Sequence, residues 1–374
     1  MTAVGTEQDP VHLRRALELA EQGRGRVSPN PLVGAALVRG DEVIGEGFHA
    51  ELGGPHAERA AIEDCRRRGE DPRGATLYVT LEPCAHHGRQ PPCSDAILEA
   101  GIARVVYASD DPSEKASGRG PGILRDGGVE IEQATGEEAA AARLLNQAFR
   151  KHARTGTPLV TLKMATSLDG RVATASGDSK WISGDASREL VHRWRAEADA
   201  VAVGIGTALA DDPLLTARAG AVDRQPVRVI FDSEARLPLD SRLVSTAGEA
   251  PLIVVAGPAA PAQRLEALEA AGAVPILAGG RERSERVRSA LAELGRREIT
   301  SVLLEGGPVL AGAFAAAGEI DELRLFIAPL LIGGGRDAIE GEGPARIADA
   351  QRALAIVTKT VGEDVLIEAR LREW

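Results

Sequence analysis

One histidine, one glutamate and two cysteines have the residue types and spacing of a zinc-dependent hydrolytic centre. His56 and Glu58 form an H-x-E pair, and Cys84 follows a proline and precedes a second cysteine, Cys93. Zinc at catalytic sites takes three protein ligands and a water, whose pKa it lowers to about 7. We predict that His56, Cys84 and Cys93 are the ligands. Glu58 then carries protons between water, ring nitrogen and leaving amine, as hydrolytic deamination of an aminopyrimidine or a purine requires.

Plainer explanations of the same residues stay open at this point. Eight residues separate Cys84 from Cys93, whereas C-x-x-C is the usual spacing in such zinc sites. The two cysteines could form a structural zinc clip or be two buried thiols, and H-x-E pairs often arise by chance. Cys65, the third cysteine, is interpreted as a small buried hydrophobe without a role.

Helices and strands must bring these side chains together, and apolar periodicity predicts where those elements lie. His56 opens the helical stretch HAERAAIEDCRRRG, on which His56 and Glu58 are expected to point in different directions, one to the metal and one to the substrate. A strand at Thr76–Leu81 ends shortly before Cys84, and Cys93 leads into the helical stretch SDAILEAG. The positive ends of two helices would favour thiolates between them.

The other segments of the first half indicate an α/β domain. We predict a helix over 11–23, two hairpin strands, a third strand, a loop over 110–128 that is rich in Asp, Gly, Ser and Pro, and a long helix. The three strands and the long helix are Leu32–Val38, Val43–Gly47, Val105–Tyr107 and Glu137–Arg154. This order predicts a mixed sheet covered by helices. Residues 154–158 mark a junction, so we predict domains at 1–154 and 155–374.

Four stretches of the first half resemble, in order, the deaminase half of the bifunctional riboflavin-biosynthesis deaminase/reductase family. They are PNPLVGAALV, GGPHAERAA, YVTLEPCAHHGRQPPCSDAI and DDPSEKASGRG. The resemblance implies a cytidine-deaminase-like three-layer α/β/α fold and a long segment between the two cysteine ligands. It also implies that Asn30 lies at the substrate pocket, although an asparagine before a proline is often only a loop residue. His86, His87 and Arg89 either contact a phosphate or ribose or shape their loop, and these alternatives stay open. Asp110, Asp111 and Lys115 resemble a substrate-side loop of the family, without assigned roles.

The second half has the pattern of a complete α/β domain, with helical stretches between most of its strands. The predicted strands are Leu159–Met164, Ala200–Gly204, Val227–Asp232, Leu252–Ala256, Val274–Leu277, Ser301–Glu305, Leu323–Leu331 and Asp364–Leu371. Two strands are followed by glycines. Gly204 and Gly206 lack the third glycine of a dinucleotide fingerprint. Gly306 and Gly307 precede a helix whose N-terminal amides could hold a pyrophosphate, and a plain turn is the alternative.

The second half resembles the reductase half of the same family over nearly its whole length. The matching stretches are LKMATSLDGR, SKWIS, GTALADDPLLT and LLIGGG. The resemblance implies a dihydrofolate-reductase-like α/β fold, NADPH and a phosphoribosyl substrate. It implies cofactor contacts at Ala165, Trp181, Thr207, Asp211, Ser233, Gly306, Gly307 and Pro308. It implies substrate contacts at Ser179, Arg195, Leu215, Arg218 and Glu305, the last of which also opens the glycine turn.

Three basic residues have physical reasons to serve that reaction. Guanidinium groups bind phosphate through paired donors, which suits Arg195 and Arg218, although both could be solvated surface residues. Hydride transfer leaves a heteroatom that requires a proton. Lys163 could donate to the reacting sugar or pair with Asp211, and the identity of the acid stays open.

Composition limits the classes of protein that this chain can represent. A net charge of −11 argues against a nucleic-acid-binding surface, and 44% hydrophobic residues with 26% charged residues are typical of globular domains. Three cysteines do not suggest a disulfide framework. The beginning MTAVGTEQDP lacks the apolar core of a signal peptide, and no apolar run approaches the ~18 residues of a membrane span. We therefore expect a cytoplasmic protein.

The resemblance of both halves, together with the zinc-site residues, implies a bifunctional enzyme of riboflavin biosynthesis. Its first domain would deaminate 2,5-diamino-6-ribosylamino-4(3H)-pyrimidinone 5′-phosphate with zinc, and its second would reduce the ribosyl chain to ribityl with NADPH. The resemblance also suggests a homo-oligomer. Two rivals are a nucleic-acid base deaminase with an appended domain and a non-catalytic zinc- and nucleotide-binding protein. The sequence leaves open the oligomeric state, the basis of any preference for NADPH over NADH, and whether the intermediate is channelled.

Overall fold

The structure is a computed structural model that describes residues 8–88, 90–114, 118–218 and 224–374. The chain packs as two compact units, Met1–Thr155 together with Trp374, and Gly156–Glu373. Each unit has its own sheet and its own buried core. The two units are therefore described separately.

The first unit is built on one five-stranded sheet. Its strands are β1 Gly34–Arg39, β2 Glu42–Phe48, β3 Thr76–Val79, β4 Arg104–Tyr107 and β5 Glu130–Gln133. Its helices are α1 Asp9–Glu21, α2 Ala57–Arg67, α3 Cys93–Glu99, α4 Arg119–Asp126, α5 Glu137–Leu145 and α6 Gln147–Thr155. The strand order is β2-β1-β3-β4-β5, in which β1 runs antiparallel to both neighbours and β3, β4 and β5 run parallel.

Helices cover both faces of this sheet because successive strand residues point to opposite sides. Leu77 packs into a core with α2, α3 and α4, whereas its neighbour Tyr78 packs with α1 and α5. Glycine lets α2 lie directly on the sheet, since a Cβ on Gly47 would be 2.3 Å from the amide nitrogen of Ala61. The arrangement confirms the predicted three-layer α/β/α fold and the predicted hairpin.

Two predictions for the first unit were wrong. Part of the expected 110–128 loop is the helix α4, because its glycines serve close packing rather than a turn: a Cβ on Gly120 would be 1.8 Å from the Pro83 carbonyl oxygen. Pro121 is compatible with this helix because it lies in the first turn. The expected long helix is broken at Asn146, whose side-chain amide hydrogen-bonds both backbone groups of Leu32 at 2.8 and 2.9 Å.

The second unit contains a larger sheet. Its strands are β6 Leu159–Thr166, β7 Arg171–Thr174, β8 Ala200–Gly204, β9 Val227–Phe231, β10 Leu252–Ala256, β11 Val274–Leu277, β12 Ser301–Leu304, β13 Glu322–Ile327, β14 Gly335–Asp337, β15 Ala355–Val361 and β16 Asp364–Arg370. Nine of them follow the order β11-β10-β9-β8-β12-β6-β13-β16-β15. Neighbours are parallel from β11 to β13, and β16 and β15 complete the sheet by antiparallel pairing. β7 and β14 form a separate two-stranded ribbon.

Helices also cover both faces of the larger sheet. They are α7 Asp185–Glu197, α8 Ile205–Asp211, α9 Arg242–Ser245, α10 Ala262–Ala270, α11 Arg283–Arg296 and α12 Pro308–Ala317, with a 3-10 turn at Ile347–Asp349. Buried side chains of α11 and α12 pack on one face, and those of α7 to α10 pack on the other. The α/β class predicted for the second half is therefore confirmed. Among the described residues, no helix has the length and apolarity that crossing a bilayer demands.

In the second unit, one strand was predicted to be too long, and three strands were missed. The strand expected to reach Leu331 ends at Ile327, because Pro329 has no amide hydrogen to continue the ladder. The strands β7, β14 and β15 were not predicted. β15 is exposed along most of its length, so it lacks the alternation of buried and exposed residues that marks a strand. Its hairpin with β16 turns at Gly362, where φ is 61°.

Candidate active sites

The predicted zinc ligands meet where two helices of the first unit begin. His56 is the N-cap residue of α2, and Cys93 is the first residue of α3. Cys84 lies in the loop after β3, where its carbonyl and sulfur accept the amides of Ser94 and Cys93 at 3.1 and 3.3 Å. His56 Nδ1 is 3.3 Å from Cys93 Sγ and 3.6 Å from Cys84 Sγ. The three residues are therefore brought together by the first turns of two helices and the loop that packs on them.

The spacing of these donor atoms fits a zinc ion. All three lie within 4.8 Å of one another. Tetrahedral zinc with ordinary bond lengths separates a nitrogen ligand from a sulfur ligand by about 3.6 Å. The two nitrogen–sulfur distances here lie within a few tenths of an ångström of that value. One imidazole and two sulfurs also leave the fourth position to water, as in catalytic rather than structural sites.

The pKa values of His56, Cys84 and Cys93 depart from their ordinary values. The hydrogen bond from Cys93 lowers the pKa of the Cys84 thiol to about 4, and the contact with Cys84 raises the pKa of Cys93 above its ordinary value. The hydrogen bond with Cys84 raises the pKa of His56. Cys84 is thus a thiolate at neutral pH, which is the form that binds zinc.

Glu58 lies beside the three donor atoms and is only 3% exposed. Burial raises the pKa of its carboxyl group, and the negative charge of Cys84 raises it further. The side chain hydrogen-bonds Cys93. His56, which caps the helix from an extended backbone, contacts Cys93 as well, and the division of His56 and Glu58 between metal and substrate stays a prediction.

Asn30 is placed next to this centre through a histidine that the sequence analysis missed. The Asn30 side-chain nitrogen lies 3.0 Å from His49 Nε2, and His49 Nδ1 lies 3.0 Å from the carbonyl of Pro55. Because a carbonyl only accepts, His49 carries its proton on Nδ1 and accepts from Asn30 through Nε2. The His49 and His56 rings meet edge-on at 5.5 Å. A histidine directly after β2 was the available signal.

Two histidines of the first unit, His86 and His87, follow Cys84 in the same loop. His86 is half-buried and His87 is exposed, whereas Arg89 and Lys115 are outside the described residues. Glu82 accepts a hydrogen bond from the amide of Gly118 at 2.6 Å, which connects the Cys84 loop to α4. The open alternatives for the histidines therefore stay open.

In the second unit, a cavity of about 600 Å³ brings together most of the predicted reductase residues. Its lining includes Lys163, Ala165, Ser179, Trp181, Arg195, Thr207, Asp211, Leu215, Arg218, Glu305, Gly306, Gly307 and Pro308. Ser233, another predicted cofactor contact, is not among the lining residues and is exposed after β9. Two lining residues that the sequence analysis missed are Arg188 and His192, both on α7.

A pair of opposite charges lies in the wall of this cavity. Arg195 donates two hydrogen bonds to Glu305, at 2.6 and 2.8 Å. Burial alone would raise the pKa of Glu305, but the charge and hydrogen bonds of Arg195 outweigh it and hold that pKa below its usual range. Burial lowers the pKa of Lys163, while the charge of Glu305 opposes this effect. The charged neighbours of Lys163 are thus Glu305 and Arg195, and not the Asp211 partner considered from the sequence.

The glycine turn of the second unit precedes a helix that begins at the cavity. Gly307 is the N-cap of α12, and Pro308 is its first residue. A Cβ on Gly307 would lie 3.3 Å from Thr207 Oγ1, so a side chain there would narrow the space between α12 and α8. Backbone amides at the start of a helix can donate to an anionic ligand, and glycines such as Gly306 and Gly307 let that ligand approach the backbone closely.

Comparison with known proteins gives matches over both units. The family models that match are described as "Cytidine and deoxycytidylate deaminase zinc-binding region", over residues 6–109, and "RibD C-terminal domain", over residues 158–367. The chain is 41% identical to the riboflavin biosynthesis protein RibD of Actinobacillus pleuropneumoniae, covering 97% of this chain and 95% of the relative. It is 39% identical to RibD of Escherichia coli, covering 96% and 98%.

Solved structures agree with these relationships. The structure of Acinetobacter baumannii RibD, form 1, is similar with a TM-score of 0.86 at 36% identity, covering 98% of this chain and 99% of that one. A Thermotoga maritima structure has a TM-score of 0.84 at 38% identity over 98% and 99% of the two chains. It is described as a diaminohydroxyphosphoribosylaminopyrimidine deaminase/5-amino-6-(5-phosphoribosylamino)uracil reductase. The similarity spans both units rather than one.

Proposed function

The chain belongs to the RibD family of riboflavin biosynthesis proteins, and from this premise we propose that its two units divide the reactions of the family between them. The protein is a bifunctional deaminase and reductase of riboflavin biosynthesis. The segment 1–154 is proposed to deaminate and the segment 155–374 to reduce. Similarity over both halves favours this function over a nucleic-acid base deaminase or a non-catalytic binding protein.

The first unit is proposed to remove the 2-amino group of 2,5-diamino-6-ribosylamino-4(3H)-pyrimidinone 5′-phosphate. His56, Cys84 and Cys93 would hold zinc, which supplies a water that is acidic enough to react at neutral pH. Glu58 takes the proton of that water and delivers protons to the ring nitrogen and to the departing ammonia. Asn30, whose side-chain nitrogen contacts His49, is proposed to hydrogen-bond the substrate. The observation that carries this proposal is the convergence of the three donor atoms beside a buried carboxyl group.

The second unit is proposed to bind NADPH and the phosphoribosylamino product of the first reaction in its 600 Å³ cavity. Reduced nicotinamide supplies the hydride, so the protein has to orient both molecules and provide a proton. Lys163 is proposed as the proton donor because it is a cavity-lining cation whose pKa burial lowers. The cofactor contacts implied by the resemblance, including Ser233 outside the cavity lining, remain part of the proposal.

A coupled assay tests this division. The purified, zinc-loaded protein is incubated with the diaminopyrimidine phosphate, first without and then with NADPH. We expect ammonia release in both mixtures and oxidation of NADPH only in the second. Absence of ammonia would remove the deaminase assignment, and ammonia release without oxidation of NADPH would remove the reductase assignment. Replacing NADPH by NADH in the same assay tests the cofactor preference.

Three properties of the whole protein are also proposed: a homo-oligomer, a cytoplasmic location and no nucleic-acid partner. The strand β15 is last in the sheet order and exposes Ile356 and Val357, so its free edge suits pairing with a second copy. Light scattering that gives the mass of a single chain would contradict the oligomer. Reduced Cys84 and Cys93 suit a reducing compartment, and the charge of −11 disfavours nucleic acid.

A further inference from the structure

Arg195 and Arg218 of the reductase cavity differ in the charge of their hydrogen-bond partners. Arg195 forms a two-point ion pair with Glu305, so its charge is compensated within the protein. Arg218 instead donates to His192 Nε2 at 3.2 Å and to Thr216 Oγ1 at 3.5 Å. In the part of the chain that the structure describes, no carboxylate forms an ion pair with Arg218. Both of its side-chain partners are therefore uncharged acceptors.

The contact with Arg218 determines the state of His192. A guanidinium group has donors and no acceptor, so Nε2 must present its lone pair and the ring proton must lie on Nδ1. Burial lowers the pKa of His192, and the charges of Arg195 and Arg218 lower it further, against the smaller opposite effects of Thr216 and Glu305. His192 is thus a neutral imidazole at neutral pH.

Because His192 accepts from Arg218 without carrying a charge, it leaves the positive charge of Arg218 available to an anion. A carboxylate at this place would hold Arg218 equally well, but it would cancel the positive charge and repel an incoming phosphate. The ion pair of Arg195 shows that the same cavity does use a carboxylate where charge is to be balanced. The two arginines thus have separate roles. Glu305 compensates the charge of Arg195, whereas the charge of Arg218 stays available for an anionic ligand.

We propose that His192 is a positioning and specificity residue of the reductase unit. Its uncharged ring accepts a hydrogen bond from Arg218 and orients the guanidinium, which therefore keeps its full charge for the 5′-phosphate of the substrate. The inference rests on the proposed function, because it takes the phosphoribosylaminouracil as the ligand of this cavity. It assigns recognition of the phosphate mainly to Arg218 and leaves Arg195 to align Glu305. His192 itself does not contact the reacting atoms.

The test compares two replacements that both retain an acceptor. Gln in His192→Gln can accept from Arg218 without a charge, whereas Glu in His192→Glu accepts and neutralises the guanidinium. Binding of the deaminated phosphoribosyl substrate and of its dephosphorylated nucleoside is measured by calorimetry, without cofactor. For His192→Glu we expect the affinity for the phosphorylated ligand to fall about tenfold or more and the affinity for the nucleoside to change little. His192→Gln is expected to stay within about threefold of the wild type for both ligands.

Arg193→Gln is the matched control, because it changes the net charge by the same one unit at an exposed neighbouring position of α7. It should leave the ratio of the two affinities unaltered. Equal binding by His192→Glu and His192→Gln, or equal loss for both ligands, would overturn the inference, as would a wild-type protein that does not distinguish phosphate from nucleoside. These affinities do not depend on turnover, so a wild type that binds phosphate selectively but fails to oxidise NADPH would refute the reductase proposal alone.

Discussion

At the scale of single residues, both sites depend on side chains whose charge is set by their neighbours. Glu58 is buried against two sulfurs, and Lys163 is a cation whose pKa burial lowers and Glu305 raises. His49 and His192 each accept a hydrogen bond through Nε2, from Asn30 and from Arg218, and burial lowers the pKa of both rings, which favours the neutral imidazole. The chemistry therefore requires defined protonation states, and these can be tested by pH and by single substitutions.

The role of Lys163 predicts how the reductase depends on pH. If protonated Lys163 is the donor, turnover falls as pH rises through its pKa. Since the charge of Glu305 raises that pKa, Glu305→Gln should move the alkaline limb of the kcat profile to lower pH. Asp211→Asn is the comparison, because Asp211 is not a charged neighbour of Lys163, and it should leave the position of the limb unchanged. A limb that does not move, or that moves to higher pH in Glu305→Gln, would mean that another group donates the proton.

At the scale of elements, the positions of the proposed zinc ligands depend on helices that pack very closely on the sheet and on the Cys84 loop. The helix α4 contacts the backbone of that loop through Gly120, where a Cβ would be 1.8 Å from the Pro83 carbonyl oxygen. Glu82 adds a hydrogen bond from the same loop to Gly118. The position of Cys84 is therefore coupled to a helix that contains no ligand.

This coupling predicts the effect of one methyl group. Gly120→Ala should displace the Cys84 loop, lower the affinity for zinc and reduce ammonia release at least tenfold, because backbone cannot yield as a flexible side chain can. Gly122→Ala, on the same helix, meets nothing within 4 Å and should keep zinc and activity. Zinc content and ammonia release are measured for both proteins. Equal behaviour of the two variants would show that α4 does not position the loop.

The helix α4 and the break at Asn146 could not be predicted because both depend on contacts between residues that are distant in sequence. Around α4, glycines and a proline indicate a loop, and only the contact with Pro83 shows that they permit close packing. The break at Asn146 depends on hydrogen bonds to Leu32, far away in sequence. By contrast, the strands flanking both sites were predictable, since buried parallel strands are short apolar runs. The clustering of His56, Cys84 and Cys93 was predictable from local spacing, and the position of His49 directly after β2 was a usable signal, whereas His192 becomes recognisable only through its contact with Arg218.

At the scale of the whole molecule, the family prediction is confirmed by relatives that match nearly the full length, and each described site is formed within one unit. The proposed zinc ligands belong to the first unit, and the cavity residues belong to the second. Two reactions can then share a chain without sharing a residue. The net charge of −11 is compatible with anionic substrates because the cavity itself contains several arginines.

Separate sites predict a selective effect of removing the metal. A strong zinc chelator should abolish ammonia release and leave oxidation of NADPH intact when the deaminated substrate is supplied directly. Adding zinc back should restore ammonia release. Parallel loss of both activities at the same zinc content would show that the reductase also depends on the metal.

His56, Cys84 and Cys93 are proposed to hold a zinc ion, while Glu58 is proposed to move protons without binding the metal. The most direct measurement is zinc content together with ammonia release for the wild type and Glu58→Gln. We predict about one zinc per chain in both proteins, and a loss of ammonia release of about 10²- to 10⁴-fold in Glu58→Gln with reductase turnover preserved. Ammonia release near the wild-type rate in Glu58→Gln would show that Glu58 does not carry the protons, and loss of zinc from that variant would show that Glu58 helps to hold the metal.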